Sequence, residues 1–122
     1  MCSLISWGSA GFVADIKKKY VLNIVKCADA CENIDRIVLF GSATESRCTD
    51  ASDIDIAVFG KKPQNAYLRS EEFKQFQRRL FSFENKFDQD YDILYFSPTD
   101  RMNTEIMKNI DRGTEIYRRA EQ

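Results

Sequence analysis

The spacing of apolar residues predicts three amphipathic helices. Between residues 13 and 31, apolar side chains recur every three or four positions, which is the period of a helix with one buried face. The same steps run through residues 70–87, where Ser70 occupies the position of an N-cap and phenylalanines dominate one face. A third helix is predicted to follow the Ser-Pro-Thr-Asp sequence of residues 97–100. Its apolar positions are Met102, Ile106 and Ile110.

Three short apolar runs between these helices predict β-strands at residues 36–40, 53–59 and 91–96. The first run is continuous and ends at a glycine, as expected for a strand that is buried on both faces. The predicted order is helix, strand, turn, strand, helix, strand and helix, and we expect an α+β fold with at least three strands flanked by helices. Residues 13–122 are assigned to a single domain, and residues 1–12 to a flexible N-terminal segment.

The amino-acid composition excludes several kinds of active site and says little about the fold. The 122 residues include no histidine, which excludes histidine-based triads, imidazole bases and histidine-containing zinc sites. Basic and acidic residues number 18 and 19, so the charge balance suggests neither a nucleic-acid surface nor a membrane surface. The N-terminal stretch lacks the basic start of an export signal and is too short to span a bilayer. Since the four cysteines show no CxxC spacing, we expect a cytoplasmic protein with reduced thiols.

Two aspartates lie at alternating positions in the second predicted strand. Because side chains alternate across a strand, Asp53 and Asp55 would project from one face with Cα atoms roughly 6.5 to 7 Å apart. Two carboxylates this close raise each other's pKa or require a cation, and Mg²⁺ is a usual partner of oxygen ligands. Aspartates that simply face water at the end of a strand are the competing interpretation. Gly41 and Ser42 favour the metal site, because a glycine directly after a buried strand lets the backbone approach a phosphate.

A third carboxylate opens the third predicted strand. Asp92 is followed at once by the apolar residues of that strand. Asp88 and Asp90 share its alternation and stay as alternatives for the third carboxylate. Asp92 is preferred because the apolar run begins immediately after it.

Taken together, these residues resemble a known signature. The Gly-Ser pair at residues 41–42 and the Ser-Asp-Ile-Asp run at residues 52–55 resemble the GS…SDID motif of the nucleotidyltransferase superfamily that includes DNA polymerase beta. The short chain is similar to the minimal nucleotidyltransferase branch, the antitoxin partners of HEPN-domain toxins. The resemblance implies a small mixed sheet flanked by helices, like the palm of polymerase beta.

The resemblance also implies a role for each residue of the motif. The nucleotide-binding residues would be Gly41, Ser42 and Ser52, and the catalytic metal ligands would be Asp53, Asp55 and Asp92. Two Mg²⁺ ions would be bound, with ATP as the substrate. Asp92 would complete one metal site and help to deprotonate the acceptor hydroxyl, whose oxygen would displace pyrophosphate from the α-phosphorus.

The chain departs from the family pattern just after the Gly-Ser pair. Family members often carry an Arg-Gly pair at a position that reads Glu45-Ser46 here, so an anion replaces a cation near the phosphates. Weaker binding of a triphosphate is one expected consequence. Arg47 is a candidate to replace the missing cation, although an arginine in a polar turn is more often solvated.

Three functions follow from the resemblance. The first is a transferase that adds AMP to a hydroxyl, a tyrosine, on a partner HEPN-type ribonuclease toxin and so neutralises it. The second is a binding-only antitoxin with vestigial carboxylates, which Glu45 and Ser46 favour. The third is a transferase that modifies a small molecule such as an aminoglycoside. Because the predicted elements leave no residues for an acceptor-binding domain, we expect the acceptor to be held mostly by another molecule.

Overall fold

The structure, a computed structural model, describes residues 2–8, 11–85, 89–98 and 104–119. Its strands are β1 (Leu4–Trp7), β2 (Gly11–Ala14), β3 (Ile34–Phe40), β4 (Ile54–Gly60), β5 (Tyr91–Phe96) and β6 (Thr114–Arg118). Its α-helices are α1 (Lys18–Asp29), α2 (Gln64–Leu68), α3 (Glu71–Phe81) and α4 (Thr104–Asp111). Short 3₁₀ segments lie at Asp15–Lys17, Gly41–Thr44 and Phe83–Asn85. None of the helices described has the length and apolar character needed to cross a membrane.

Four strands form a mixed sheet in the order β5-β4-β3-β6. β3 is antiparallel to both of its neighbours, whereas β4 and β5 run parallel. The chain passes from β4 to β5 through α2 and α3, since parallel strands need a crossover and cannot be joined by a tight turn. The predicted α+β fold, a mixed sheet of at least three strands flanked by helices, is confirmed.

The larger core lies between one face of this sheet and helices α1 and α3. Along β4, the residues that alternate with Asp55 point into it and are fully buried: Ile54, Ile56 and Val58. The helices contribute the buried residues of their apolar faces: Val21, Ile24, Phe73, Phe76 and Leu80. The three- and four-residue spacing in the sequence therefore does mark buried helix faces.

A smaller core lies on the opposite face of the sheet. Ile110 of α4 packs there with Val38 and Ala57, and three partly buried phenylalanines surround them. These are Phe40, Phe59 and Phe96. The second face of the sheet is thus partly covered by a helix as well.

The N-terminal part of the chain differs from the sequence prediction. The first helix begins at Lys18, not at residue 13, because residues 11–14 form β2 and pair with β1 in an antiparallel hairpin. Most of the hairpin falls within residues 1–12, the segment that the sequence assigns as flexible. Thr114 Oγ1 accepts a hydrogen bond from Phe12 N at 3.0 Å and donates one to Phe12 O at 2.8 Å. This long-range contact, which leaves no mark in the local sequence, holds residues 11–14 extended despite their helix-like spacing.

Two further elements were not predicted. α2 has five residues, too few to display a helical period, and β6 follows Gly113, where the sequence indicated only the end of the last helix. The second predicted helix ends at Phe81, where Ser82 N donates to Arg78 O, and a 3₁₀ segment with Glu84 at φ 57° follows. The parts of the predicted helices that fall on residues 86–87 and 99–103 lie outside the described residues.

The N-cap predicted for α3 is present and gives a test of the fold. Ser70 Oγ accepts a hydrogen bond from Phe73 N at 3.2 Å and donates one to Tyr67 O at 2.6 Å. We expect Ser70→Ala to lower the free energy of unfolding by about 1 kcal/mol, measured by urea denaturation. Ser70→Thr retains the hydroxyl and should stay close to wild type. An alanine variant as stable as wild type would show that this cap contributes nothing.

Candidate functional site

Asp55 and Asp92 lie side by side on the two parallel strands. In the pairing of β4 with β5, Asp55 is opposite Asp92, which places their Cα atoms roughly 5 Å apart. Asp53 directly precedes β4, so the strand begins one residue later than predicted. Asp90 lies before β5 and has no such partner in the register, and Asp88 is outside the described residues. The register therefore brings Asp92 to the motif.

Asp55 feels the charge of the other two carboxylates. Asp55 is half-buried, whereas Asp53 and Asp92 are exposed. The pKa of Asp55 is raised above its ordinary value, mainly by burial, then by the charge of Asp92 and last by that of Asp53. Within the part of the chain that the structure describes, no cation and no hydrogen-bond donor pairs with the Asp55 carboxylate. Its ionised form is therefore disfavoured until a cation is supplied.

Gly41 lets the Gly-Ser turn pack closely against the Asp55 carboxylate. Phe40, the residue before it, lies opposite Asp55 in the pairing of β3 with β4. Gly41 has φ +74°, and a Cβ at this position would overlap Oδ2 of Asp55. Both the backbone conformation and the contact therefore require a glycine. The Gly41 turn and the Asp55 carboxylate therefore lie against each other.

The turn itself is a 3₁₀ segment that is held from within. Thr44 Oγ1 donates to Gly41 O at 2.8 Å, and Glu45 N donates to Ser42 O at 2.9 Å. Ala43 is fully buried and anchors the segment. The Ser42 hydroxyl makes no hydrogen bond to any residue described, so it can donate to an anionic ligand.

Ser52 is used to shape the loop before Asp53. Its hydroxyl accepts a hydrogen bond from Thr49 N at 3.0 Å. Its carbonyl accepts one from Lys17 Nζ at 2.8 Å and one from Gln89 Nε2 at 3.1 Å. The assignment of Ser52 to nucleotide binding stays a prediction, since its hydroxyl already has a partner in the loop.

Lys17 and Gln89 were not singled out in the sequence. Lys17 belongs to a run of lysines, which in sequence looks like a solvated face, yet it is buried. Gln89 is likewise buried. Neither residue lies in a motif, and only their distant hydrogen-bond partners reveal them.

The position where family members carry a cation holds an exposed ion pair. Arg47 Nε donates to the Glu45 carboxylate, and the two side chains are 71% and 46% exposed. The charge of Arg47 is therefore matched by that of Glu45. The turn presents no unmatched cation at this place.

The residues suit a Mg²⁺ ion that is bound jointly by the protein and a phosphate, rather than one bound by protein ligands alone. Across residues 2–8, 11–85, 89–98 and 104–119, no group of three or more acidic or thiol side chains is arranged to hold a metal ion. Mg²⁺, however, is commonly bound by one or two carboxylates together with substrate phosphates. Asp55 and Asp92 are such a pair, and the Gly41-Ser42 turn lies beside Asp55 where a phosphate would complete the coordination.

The raised pKa of Asp55 gives a stability test that needs no ligand. A carboxyl whose pKa is higher in the folded than in the unfolded state loses stabilisation as the pH rises through the folded pKa. We therefore expect Asp55→Asn, in EDTA, to gain stability relative to wild type as the pH rises through that pKa, and to be at least as stable at pH 7. Urea denaturation over a pH series measures this.

Asp111→Asn is the control for this experiment, because it removes one exposed carboxylate from α4 whose charge is not among the causes of the raised Asp55 pKa. If Asp55 instead stabilised the fold, Asp55→Asn would lower the metal-free free energy of unfolding at pH 7 by roughly 1 to 3 kcal/mol. That result would contradict the prediction.

Comparisons with known proteins identify the family of the chain. The family described as Polymerase beta, Nucleotidyltransferase matches residues 23–122. A chain of similar fold occurs in the solved structure of the tri-AMPylated Shewanella oneidensis HEPN toxin in complex with MNT antitoxin. The TM-score is 0.53 and the sequence identity 21%, and the alignment covers 84% of this chain and 73% of that one. A candidate nucleotidyltransferase from Sulfolobus solfataricus gives a TM-score of 0.46 and 18% identity, covering 93% of this chain and 94% of that one. No curated protein sequence matches significantly. Since the family match spans most of the sequence, the chain belongs to the polymerase beta nucleotidyltransferase family.

Proposed function

We propose that this protein is a Mg²⁺-dependent nucleotidyltransferase that transfers AMP from ATP to a hydroxyl, a tyrosine, on a partner HEPN-type toxin and thereby acts as an antitoxin. The observation that carries the proposal is the position of Asp55, which faces Asp92 and touches the Gly41 turn. These are the parts that a phosphoryl-transfer site needs: paired carboxylates for a cation and a turn for the phosphates.

The chain's own residues supply binding and proton transfer. Asp53, Asp55 and Asp92 would hold Mg²⁺, which when bound neutralises charge on the phosphate oxygens. The Ser42 hydroxyl would donate to a phosphate beside the Gly41 backbone. Exposed Asp92 would accept the proton of the acceptor hydroxyl. The acceptor oxygen then bonds to the α-phosphorus, the bond from that phosphorus to the bridging oxygen breaks, and pyrophosphate leaves with the electron pair.

The partner and the compartment are proposed on two grounds. The antitoxin of similar fold is solved in complex with a tri-AMPylated HEPN toxin, which supports a HEPN-type acceptor here. All four cysteines are free, and buried thiols that remain unpaired fit the reducing cytoplasm.

A binding-only antitoxin is the second candidate, and the Glu45–Arg47 pair favours it. The pair leaves the turn without an unmatched cation for the triphosphate. In that case the protein would neutralise its partner by contact alone, and the carboxylates would have no catalytic role.

Label transfer separates the two candidates. With the partner toxin and Mg²⁺, label from α-labelled ATP should appear on the partner, whereas γ-labelled ATP should leave it unlabelled, because pyrophosphate is the leaving group. Asp55→Asn should abolish transfer, and Asp90→Asn, a nearby exposed carboxylate outside the register pair, should retain it. Label from the γ-position would indicate kinase chemistry. Tight partner binding without any labelling would favour the binding-only antitoxin.

Binding of ATP tests the Gly-Ser turn by itself. Ser42→Ala should weaken Mg²⁺-ATP binding by the value of one charge-assisted hydrogen bond, roughly 1.5 to 3 kcal/mol, or about 10- to 150-fold. Ser46→Ala is the matched control, since Ser46 lies in the same region but is exposed. Calorimetric titration measures both. Equal affinities for wild type and Ser42→Ala would mean that phosphate is bound elsewhere.

A further inference from the structure

A buried ammonium lies behind the loop that leads into Asp53. Lys17 is 1% exposed, in a chain whose other lysines are mostly on the surface. Its Nζ donates to Asp50 O at 3.2 Å, to Ser52 O at 2.8 Å and to Gln89 Oε1 at 2.5 Å. A buried charge is costly unless it is hydrogen-bonded, and these acceptors stabilise the buried ammonium group.

The acceptors lie on the two segments that deliver the carboxylates. Asp50 O and Ser52 O belong to the loop that ends at Asp53, while Gln89 directly precedes the chain entering β5. Gln89 Nε2 also donates to Ser52 O and to Asp90 O, at 3.1 and 2.8 Å. Lys17 and Gln89 therefore join the loop before β4 to the start of β5.

Lys17 and Gln89 hold the loop before Asp53 against the start of β5, which the hydrogen bonds within the loop do not do. The β4–β5 ladder fixes Asp55 against Asp92, and Ile54 N donates to Asp90 O at 3.0 Å, which holds the residue after Asp53. The residue before Asp53, Ser52, lies outside this ladder. Within the loop, Ser52 N donates to Thr49 O and Thr49 N donates to Ser52 Oγ, which closes the turn without tying it to β5. The ladder therefore holds the chain on one side of Asp53, and Lys17 and Gln89 hold it on the other side through Ser52 O.

We propose that Lys17 is a positioning residue, whose ammonium sets the distance of Asp53 from the Asp55–Asp92 pair and so sets the affinity of the site for Mg²⁺ in the presence of ATP. The inference rests on the proposed function. In this role Lys17 is not a catalytic residue, and it acts through the carbonyls of Asp50 and Ser52 and through Gln89.

Lys17→Met tests the proposal, because methionine retains an apolar chain of similar length and removes the donors. With ATP held constant, we expect the Mg²⁺ concentration for half-maximal binding to rise roughly 10- to 100-fold, the usual effect of losing a residue that orients metal ligands. At saturating Mg²⁺ the affinity for ATP should return to within about threefold of wild type, because the Gly41–Thr44 turn is untouched. Calorimetric titrations of ATP over a Mg²⁺ series measure both quantities.

Lys18→Met is the matched control, since Lys18 is the exposed neighbour on α1, and it should behave as wild type. A purely structural role of Lys17 would lower the melting temperature by the same amount at every Mg²⁺ concentration and leave the Mg²⁺ requirement of the folded protein unchanged. That result would overturn the proposal.

A second variant decides the matter if Lys17→Met does not fold. Gln89→Met cuts the same connection from the β5 side while the lysine stays in place, so it should raise the Mg²⁺ requirement in the same direction. A folded Gln89→Met protein with the wild-type Mg²⁺ requirement would overturn the proposal. If the wild-type protein binds no Mg²⁺-ATP at all, the proposed function is overturned. If wild type binds Mg²⁺-ATP and Lys17→Met binds it with the same Mg²⁺ requirement, only the role of Lys17 is overturned.

Discussion

Asp55 and Asp92 face each other across parallel strands, and no residue described places a cation beside them. Like charges directly opposite each other destabilise a sheet, so other interactions must hold the two strands in register. The alternating side chains of β4 do so: Ile54, Ile56 and Val58 are fully buried on the other face. A slip of one residue would expose these side chains and bury Asp55 among them. The hydrophobic core therefore holds the two carboxylates opposite each other.

The remaining parts of the site converge on this pair from two directions. The turn after β3 approaches Asp55 at a position that only glycine can occupy. On the other side, Lys17 fixes the loop that ends at Asp53. Neither contact neutralises Asp55, whose pKa remains raised by burial and by the neighbouring carboxylates. The fold thus organises negative charge without compensating it, which is what the proposed Mg²⁺ site requires.

The sequence predicted those features whose signals are local. The cap at Ser70 and the bounds of β5 follow from short-range spacing, and the residues of the motif lie within residues 41–55 apart from Asp92. The hairpin and β6 were missed because Phe12 and Thr114, which connect them, are 102 residues apart. Lys17 was missed for the same reason, since its acceptors lie 33 to 72 residues away. Contacts between distant segments leave no periodicity in either segment.

The Glu45–Arg47 pair bears on how a nucleotide can bind at all. Where a phosphate site offers an unmatched arginine, part of the triphosphate charge is balanced by protein. Here the arginine is matched by Glu45, and the adjacent carboxylates add negative charge. A free triphosphate would therefore meet net repulsion, and the Ser42 hydroxyl can offer only one hydrogen bond. If the site is catalytic, nearly all of its affinity for the triphosphate must come through Mg²⁺, and the spacing of the three aspartates then controls nucleotide binding as well as chemistry.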